Sequence, residues 1–428
     1  MTNSTYKTAL SGAALALMLI GVAACSDDAT GSASAGTTAS AGAATSSAAA
    51  STSAGGPTAN AAAAPTKAPL KLGWIGTVSG PAAPTGQQTQ GAVKAWEESV
   101  NARGGINGHP VKVSYEDDAG DPARGLAAVK KLVEEVGVIA LVGNHANTTE
   151  TAFADYITQH KVPVVGGESD TPVWLQNPYF FVSGEPGVAT LDTEAFVTKS
   201  VGKTNFGSVN EGNVQDVGPL ITLLEQATQK YGLKYAYHTT AQSSEPNYTA
   251  KCLAAQQAGA EVIALNLAPN TRQRVVSDCS RQNLKVNYLI PSGAFTPDAL
   301  KDPVYEGTFV PTNNFLWFAD TPVATEFRDA MKQYSPSVVL GPSATQGWSG
   351  GKLFEAAAKS LPDNPTSADV LAGLYALAPN DTLNGVSVGA TFKAGQPADT
   401  RNCFFLAQIK GGALTVPQGN DPICPPGE

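Results

Sequence analysis

The spacing of apolar and polar positions changes character several times along the chain. Leu70–Gly76 (LKLGWIG) is a short apolar run closed by glycine, the pattern of a buried strand. Over Gln87–Asn101 the residues Ala92, Val93, Trp96 and Val100 form one helical stripe. Gly104-Gly105-Ile106-Asn107-Gly108 reads as a turn, and Val111–Glu116 as the second strand. Pro122–Glu135 is expected to be a helix, with Asp121 as N-cap and Pro122 at its first position. Val138–Val142 (strand), Glu150–His160 (helix) and Val162–Val165 (strand) follow. Such alternation predicts a parallel, doubly wound sheet.

The pattern then restarts. Strands are expected at Thr204–Val209, Lys234–His238, Glu261–Leu267 and Val286–Ile290, with helices at Val217–Tyr231, Tyr248–Ala258 and Thr271–Gln282 between them. This second set implies a second lobe. Helical spacing returns at Thr325–Tyr334 and Gln346–Lys359, and a β-rich section closes the fold from about Thr391 to Val416.

The N-terminal stretch has a different logic. Lys7 is the only charge in the first 24 residues, and an apolar run from Ala9 to Ala24 follows it, which reads as a signal peptide over residues 1–24. Val22-Ala23-Ala24-Cys25 is similar to the lipobox of bacterial lipoproteins, so Cys25 is the expected site of lipidation. Residues 25–68 then form an Ala/Ser/Gly/Thr-rich linker, too poor in large apolar side chains to offset the entropy of ordering. It is expected to be a tether, reaching about 35 Å r.m.s. as a flexible coil.

Charge narrows the function. The 428 residues carry a net charge of −9, which argues against a nucleic-acid partner and against electrostatic docking on anionic lipid. With Cys25 reserved for lipid, four cysteines remain, an even number in an exported domain. Of three possible pairings, Cys252–Cys279 and Cys403–Cys424 are favoured because each closes a short loop. No Cys-x-x-Cys and no His pair at metal spacing occurs, so no metal and no cofactor are expected.

In doubly wound sheets, ligands sit beyond the carboxyl ends of the strands. There the sequence places Thr77-Val78-Ser79-Gly80-Pro81, then Gly143 to Thr149, then Gly166-Gly167-Glu168-Ser169-Asp170. A helix headed by Asn147, Thr148 and Thr149 can hold a carboxylate without arginine, although the same residues serve equally as ordinary caps. Gly347-Trp348-Ser349-Gly350-Gly351 matches the Gly-x-Ser-x-Gly of serine hydrolases, but all four histidines precede Ser349 and no clear strand leads into it. No enzyme is expected, and a helix start under a packed Trp348 is the simpler reading.

A family resemblance ties these features together. Ser79-Gly80-Pro81, Gly86, Gly91-Ala92, Asn101 to Gly108, Asp117-Asp118 and Asp121-Pro122 resemble the leucine/isoleucine/valine-type periplasmic binding proteins, the substrate-binding components of ABC importers. The resemblance implies two α/β lobes, each a doubly wound parallel sheet, joined by three crossings. It assigns residues 69–189 plus 313–398 to an N-terminal lobe and 190–312 plus 399–428 to a C-terminal lobe. It places ligand contacts at Ser79 and Thr85, at His145, Ala146 and Asn147, and at Glu168 and Ser169. The second lobe is expected to contribute Asn213, Asn266 and Ser292.

One departure matters. Where branched-chain amino-acid binders hold the α-ammonium with an acidic residue between Pro and Gly, this chain has Pro291-Ser292-Gly293. Either Glu168, Glu185 or Asp216 supplies the countercharge, or the ligand has no ammonium. The resemblance implies an exported, lipid-anchored monomer on the outer face of the cytoplasmic membrane. It would carry an amino acid, amide or carboxylate to ABC permease subunits. A sensor reporting ligand to a signalling partner is the alternative.

Overall fold

The computed structural model describes residues 66–80, 83–187, 190–212 and 218–427. The expected signal peptide, Cys25 and nearly all of the linker lie outside the described residues, as do Asn213 and Asp216. The described chain is tied down from Thr66: the N–H groups of Thr66 and Lys67 both donate to Gly108 O at 3.0 Å. Ordered contacts thus begin slightly before the expected end of the linker.

The first sheet holds β1 (Leu70–Gly76), β2 (Val111–Asp117), β3 (Ala140–Asn144), β4 (Val164–Gly167) and β5 (Phe180–Phe181). All its pairings are parallel, in the order β2-β1-β3-β4-β5. Helices α1 (Ala83–Ala102), α2 (Pro122–Lys130), α3 (Glu150–His160) and the short α4 (Val173–Gln176) connect these strands. The α2 N-cap is Asp121, whose side chain accepts from Arg124 N. The last turns of the expected Pro122–Glu135 helix widen into a π-helical segment, Lys131–Val136, ended by Gly137 at φ 72°.

The second sheet comprises β6 (Asn205–Glu211), β7 (Lys234–Ala241), β8 (Val262–Asn266), β9 (Asn287–Leu289) and β10 (Phe309–Thr312). Helices α5 (Thr190–Ser200), α6 (Gly218–Lys230), α7 (Thr249–Ala258) and α8 (Pro269–Arg281) belong to the same stretch. After α9 (Pro322–Tyr334), α10 (Pro342–Ala357), α11 (Ser367–Tyr375) and a small ladder of β11 (Ala390–Thr391) with β12 (Asp399–Thr400), the chain returns as β13 (Phe405–Lys410) and β14 (Ala413–Thr415). These last two strands are antiparallel, so the second sheet is mixed, with five parallel strands and a hairpin edge. Gly411 and Gly412, at φ 60° and 75°, make the hairpin turn. Two α/β lobes are thus joined by three crossings: one after β5, one after β10 and one before β13.

Helix α10 shows what the Gly-x-Ser-x-Gly stretch does. It packs on β3, β4 and α1. A Cβ on Gly350 would lie 2.8 Å from Gly143 Cα and 3.0 Å from Val165 O. Ser349 and Trp348 are wholly buried in the middle of this helix, not on a strand-to-helix elbow. The glycines let a helix lie directly on the sheet.

Cys252 pairs with Cys279, joining α7 to α8, and Cys403 pairs with Cys424, fastening the C-terminal segment. Among the described residues no helix is long and apolar enough to cross a membrane.

Candidate functional site

The loops that leave the carboxyl ends of the first sheet are stitched together by Asp117 and Asp118. Asp118 accepts from Thr77 Oγ1 and from Thr149 Oγ1, each at 2.6 Å, which fixes the loop after β1 to the start of α3. Asp117 accepts from Ser79 Oγ at 2.7 Å and from Val78 N at 3.0 Å. Ser79 is in the expected loop, but its hydroxyl is already committed. Gly86 permits α1 to lie against this loop, since a Cβ there would come within 1.9 Å of Thr77 O.

His145 follows β3 and is buried. Its Nε2 is 3.0 Å from Thr85 Oγ1, and its Nδ1 is 2.9 Å from Glu168 Oε2. Burial disfavours the imidazolium, but the Glu168 carboxylate, with Asp170 and Asp118 beyond it, outweighs that cost and raises the His145 pKa. Thr85, His145 and Glu168 therefore meet, as the sequence suggests, but as a buried chain. The Ala146 carbonyl accepts from Thr149 N and Glu150 N at 2.8 Å each and starts α3. Beside it Asn147 is half-buried.

The acidic side chain in the open is Asp170. Solvent reaches it along one side, and protein walls it elsewhere: a Cβ on Gly187 would overlap Asp170 Oδ1, and one on Gly293 would sit 4.0 Å from Oδ2. Gly187 belongs to the first crossing and Gly293 to the loop after β9, so Asp170 reaches across from the first lobe to the second. The protein walls on its enclosed side, then the neighbouring Glu168, push its pKa up to about 7. Ser169 turns its carbonyl to Gly187 N at 2.9 Å. Beneath lies Glu150, whose carboxylate accepts from Thr171 Oγ1 and from Trp174 Nε1. Burial drives its pKa to about 8, against those hydrogen bonds and with help from Glu168 and Asp170.

On the second lobe, Asn266 ends β8 and is half-buried. Its Nδ2 donates to Asn210 Oδ1 at 3.1 Å and to Glu194 Oε2 at 3.2 Å. Glu194 is buried, its Oε1 has no partner among the described residues, and burial pushes its pKa to about 8 against the Asn266 bond. Ser292 has a different job: its Oγ donates to Asn313 Oδ1 at 2.5 Å. Asn313 Nδ2 in turn donates to Glu185 O at 2.7 Å, and Asn314 Nδ2 to Ser183 O at 2.6 Å. Ser292 thus belongs to a lattice lacing two crossings together. Glu185, one of the candidate countercharges, is buried and accepts from Thr193 of α5. Among the described residues no group of His, Cys, Asp and Glu is placed to hold a metal ion.

The sequence reading passed over Asp170, Glu150, Glu194 and Asn210 as site residues. Asp170 sits in a loop that the sequence did mark; the others are ordinary helix or strand positions whose polarity gave no signal.

Two crossed-over α/β lobes, with polar loops converging at the strand ends, define a bilobal binding fold. The chain belongs to the periplasmic binding protein family, whose model matches residues 69–413. It is 24% identical over 200 residues to Leu/Ile/Val-binding protein homolog 3 of Brucella melitensis, a match covering 46% of this chain and 54% of that protein. The match therefore spans about half the length of this curated relative. A fatty acid ABC transporter substrate-binding protein from Thermomonospora curvata shares the fold at TM-score 0.66 and 18% identity, covering 85% of this chain and 95% of that one. A branched-chain amino acid ABC transporter protein from Thermus thermophilus with bound valine matches at TM-score 0.65 and 16% identity, over 83% and 97%. The solute-binding protein of an ABC transporter from R. palustris, in complex with benzoate, matches at TM-score 0.61 and 15% identity, over 84% and 98%.

Proposed function

We propose that this chain is the extracytoplasmic solute-binding subunit of an ABC importer. It captures a small polar organic solute, an amino acid, amide or carboxylate, between its lobes and presents the closed form to permease subunits. The observation that carries the reading is the meeting of the two lobes' strand-end loops, with Asp170 of the first against Gly293 of the second. The lobes comprise residues 69–189 plus 313–398 and residues 190–312 plus 399–428. Closure is favoured only by contacts that the open form cannot make, so the permease reads the shape and not the solute.

Of the structural neighbours, one holds valine, one holds benzoate and one is a fatty acid transporter's binding protein. All three carry a carboxylate. Asn147, just before α3, suits such a group here. Removal of residues 1–24 and lipidation of Cys25 would hold a monomer at the membrane's outer face through its linker.

A thermal-shift screen of amino acids, amides and aromatic acids tests the binding role, since a ligand of the native state raises its midpoint. A solute that stabilises the protein supports the reading, and a full panel without effect refutes it. Cys25→Ser should move the protein from the membrane fraction to the soluble one or block its maturation; identical fractionation of variant and wild type rules out the anchor.

A further inference from the structure

We propose that the hollow bounded by Phe295, Leu300 and Leu414 on one side and by Trp317, Phe318 and Leu340 on the other is a second binding site, which takes a small uncharged aromatic molecule. It shares no lining residue with the polar loops at the strand ends, and its occupant is a different ligand from the cleft solute.

The two walls come from different parts of the fold. Phe295 and the turn Pro297–Lys301, which carries Leu300, lie between β9 and β10 of the second sheet. Leu414 belongs to β14, and the hairpin turn before it packs on the same wall: a Cβ on Gly412 would lie 3.3 Å from Leu300 O. Trp317, Phe318 and Leu340 follow the second crossing, on the segments that flank α9 and lead into α10, the helix laid on the first sheet. The Arg328 guanidinium of α9 donates to Trp317 O at 2.8 Å and to Ala319 O at 2.7 Å, which fixes the backbone of this wall. The walls touch where Phe295 meets Trp317, with ring centroids 6.2 Å apart and both side chains buried. The hollow thus continues a contact between the lobes.

The lining decides what fits. The volume is about 320 Å³, at the lower end of the roughly 300–1,000 Å³ of small-molecule sites, which suits one ring or two fused rings. Among the described residues no charged side chain lines the hollow, so an ion entering it would surrender its hydration with nothing in exchange. Trp317 and Phe318 stand edge to face with centroids 5.3 Å apart, and the Phe295 ring is tilted by 52° against Trp317. A further flat ring extends this cluster through the offset or edge-on contacts that aromatic groups prefer. Leu300, Leu340 and Leu414, all half-buried, offer it apolar edges.

An occupant in contact with both walls does more than fill space. Separating the lobes would take one wall away from it, so it binds the joined arrangement better than the parted one and shifts the molecule toward the former.

The test uses 1-naphthol and indole as uncharged probes and 1-naphthoate as the charged match, on the purified full chain. Both uncharged probes should bind saturably with Kd below about 1 mM, within reach of a ligand of about ten non-hydrogen atoms. 1-Naphthoate should not displace them. Phe318→Ala, from one wall, and Leu414→Ala, from the other, should each weaken 1-naphthol binding at least about fivefold, the effect of removing part of an apolar wall. Hydrogen exchange of the wild type with 1-naphthol present should slow on both walls, over residues 293–301 and 315–320. No saturable binding by either probe, or an affinity that ignores either variant, overturns the site. Displacement by 1-naphthoate overturns the uncharged class, and slowed exchange on one wall only overturns the bridging of the lobes. The exchange measurement needs the wild type alone, so a variant that fails to fold leaves the test standing. None of these results touches the solute-binding role of the cleft.

Discussion

Gly350→Ala adds one methyl group where α10 meets the first sheet. The new Cβ would lie 2.8 Å from Gly143 Cα, 2.9 Å from Gly143 N and 3.0 Å from Val165 O. All three are backbone atoms, so no side chain can swing away. To reach ordinary contact distances the helix must retreat by roughly half an ångström or more, given carbon contacts near 3.5–4.0 Å. That shift would loosen the wholly buried Trp348 on the same helix. Overpacking of this kind costs about 1–3 kcal/mol, and the better helix propensity of alanine returns at most about 1 kcal/mol. A net loss of about 1–2 kcal/mol is expected. Ser349→Ala should do the opposite, because the Ser349 hydroxyl is buried with no partner. Removing it relieves a desolvation cost of about 1 kcal/mol or more. Urea unfolding of the two variants, followed by circular dichroism, checks both signs, and a fluorophosphonate probe should leave Ser349 unlabelled. An unchanged midpoint for Gly350→Ala, or covalent labelling at Ser349, would refute the packing account of this motif.

Asn147→Ala and Ser169→Ala should each weaken ligand binding about ten- to a hundredfold, the cost of a lost hydrogen bond in a desolvated cleft, while the ligand-free thermal midpoint barely moves; titration calorimetry with a ligand from the screen reads this. Glu150 has a folded pKa of about 8 against an ordinary value of 4.5, so the folded state holds a proton that the unfolded state releases. Wild-type stability should therefore fall as pH rises from about 4.5 to 8, whereas Glu150→Gln, able to accept from Thr171 and Trp174 without a charge, should resist that fall by up to on the order of 4 kcal/mol at pH 8. Parallel stability curves for the two proteins across that range would count against a buried neutral carboxyl.

The periodicity of the first sheet was legible because its strands are buried runs bounded by glycine and its helices carry clean apolar stripes. Among the elements that were not legible, three show why. Helix α5 buries Thr193, Glu194 and Thr198, so its inner face reads as polar in sequence. Strand β10 contains Pro311, which argues against a strand inside a sheet, yet it pairs with β9 on one side and β13 on the other. Helix α11 is only nine residues long, although the reciprocal hydrogen bonds of Thr366 and Asp369 at its start were a readable signal. At the site, sequence located the loops but not which side chain each loop offers. Ser79 and Ser292 are in the right loops, but Asp117 and Asn313 hold their hydroxyls. Those partners are 38 and 21 residues away, beyond what local pattern can reveal.

The carboxyls of Glu168 and Asp170 lie near one imidazole, His145, and Glu150 from the same stretch of chain lies near both carboxyls. Local rules disfavour this, since like charges brought together in a partly buried site must shed charge or repel. The scaffold responds by holding protons: both Glu150 and Asp170 are pushed up into or above the neutral range. A protein selected only for stability would replace these groups with apolar or neutral ones. Their cost is set against the hinge lattice of Ser292, Asn313 and Asn314, which fixes the crossings independently of the acidic chain. Asp170 stands apart from that lattice, a first-lobe carboxyl that lies against the crossing and faces the second lobe.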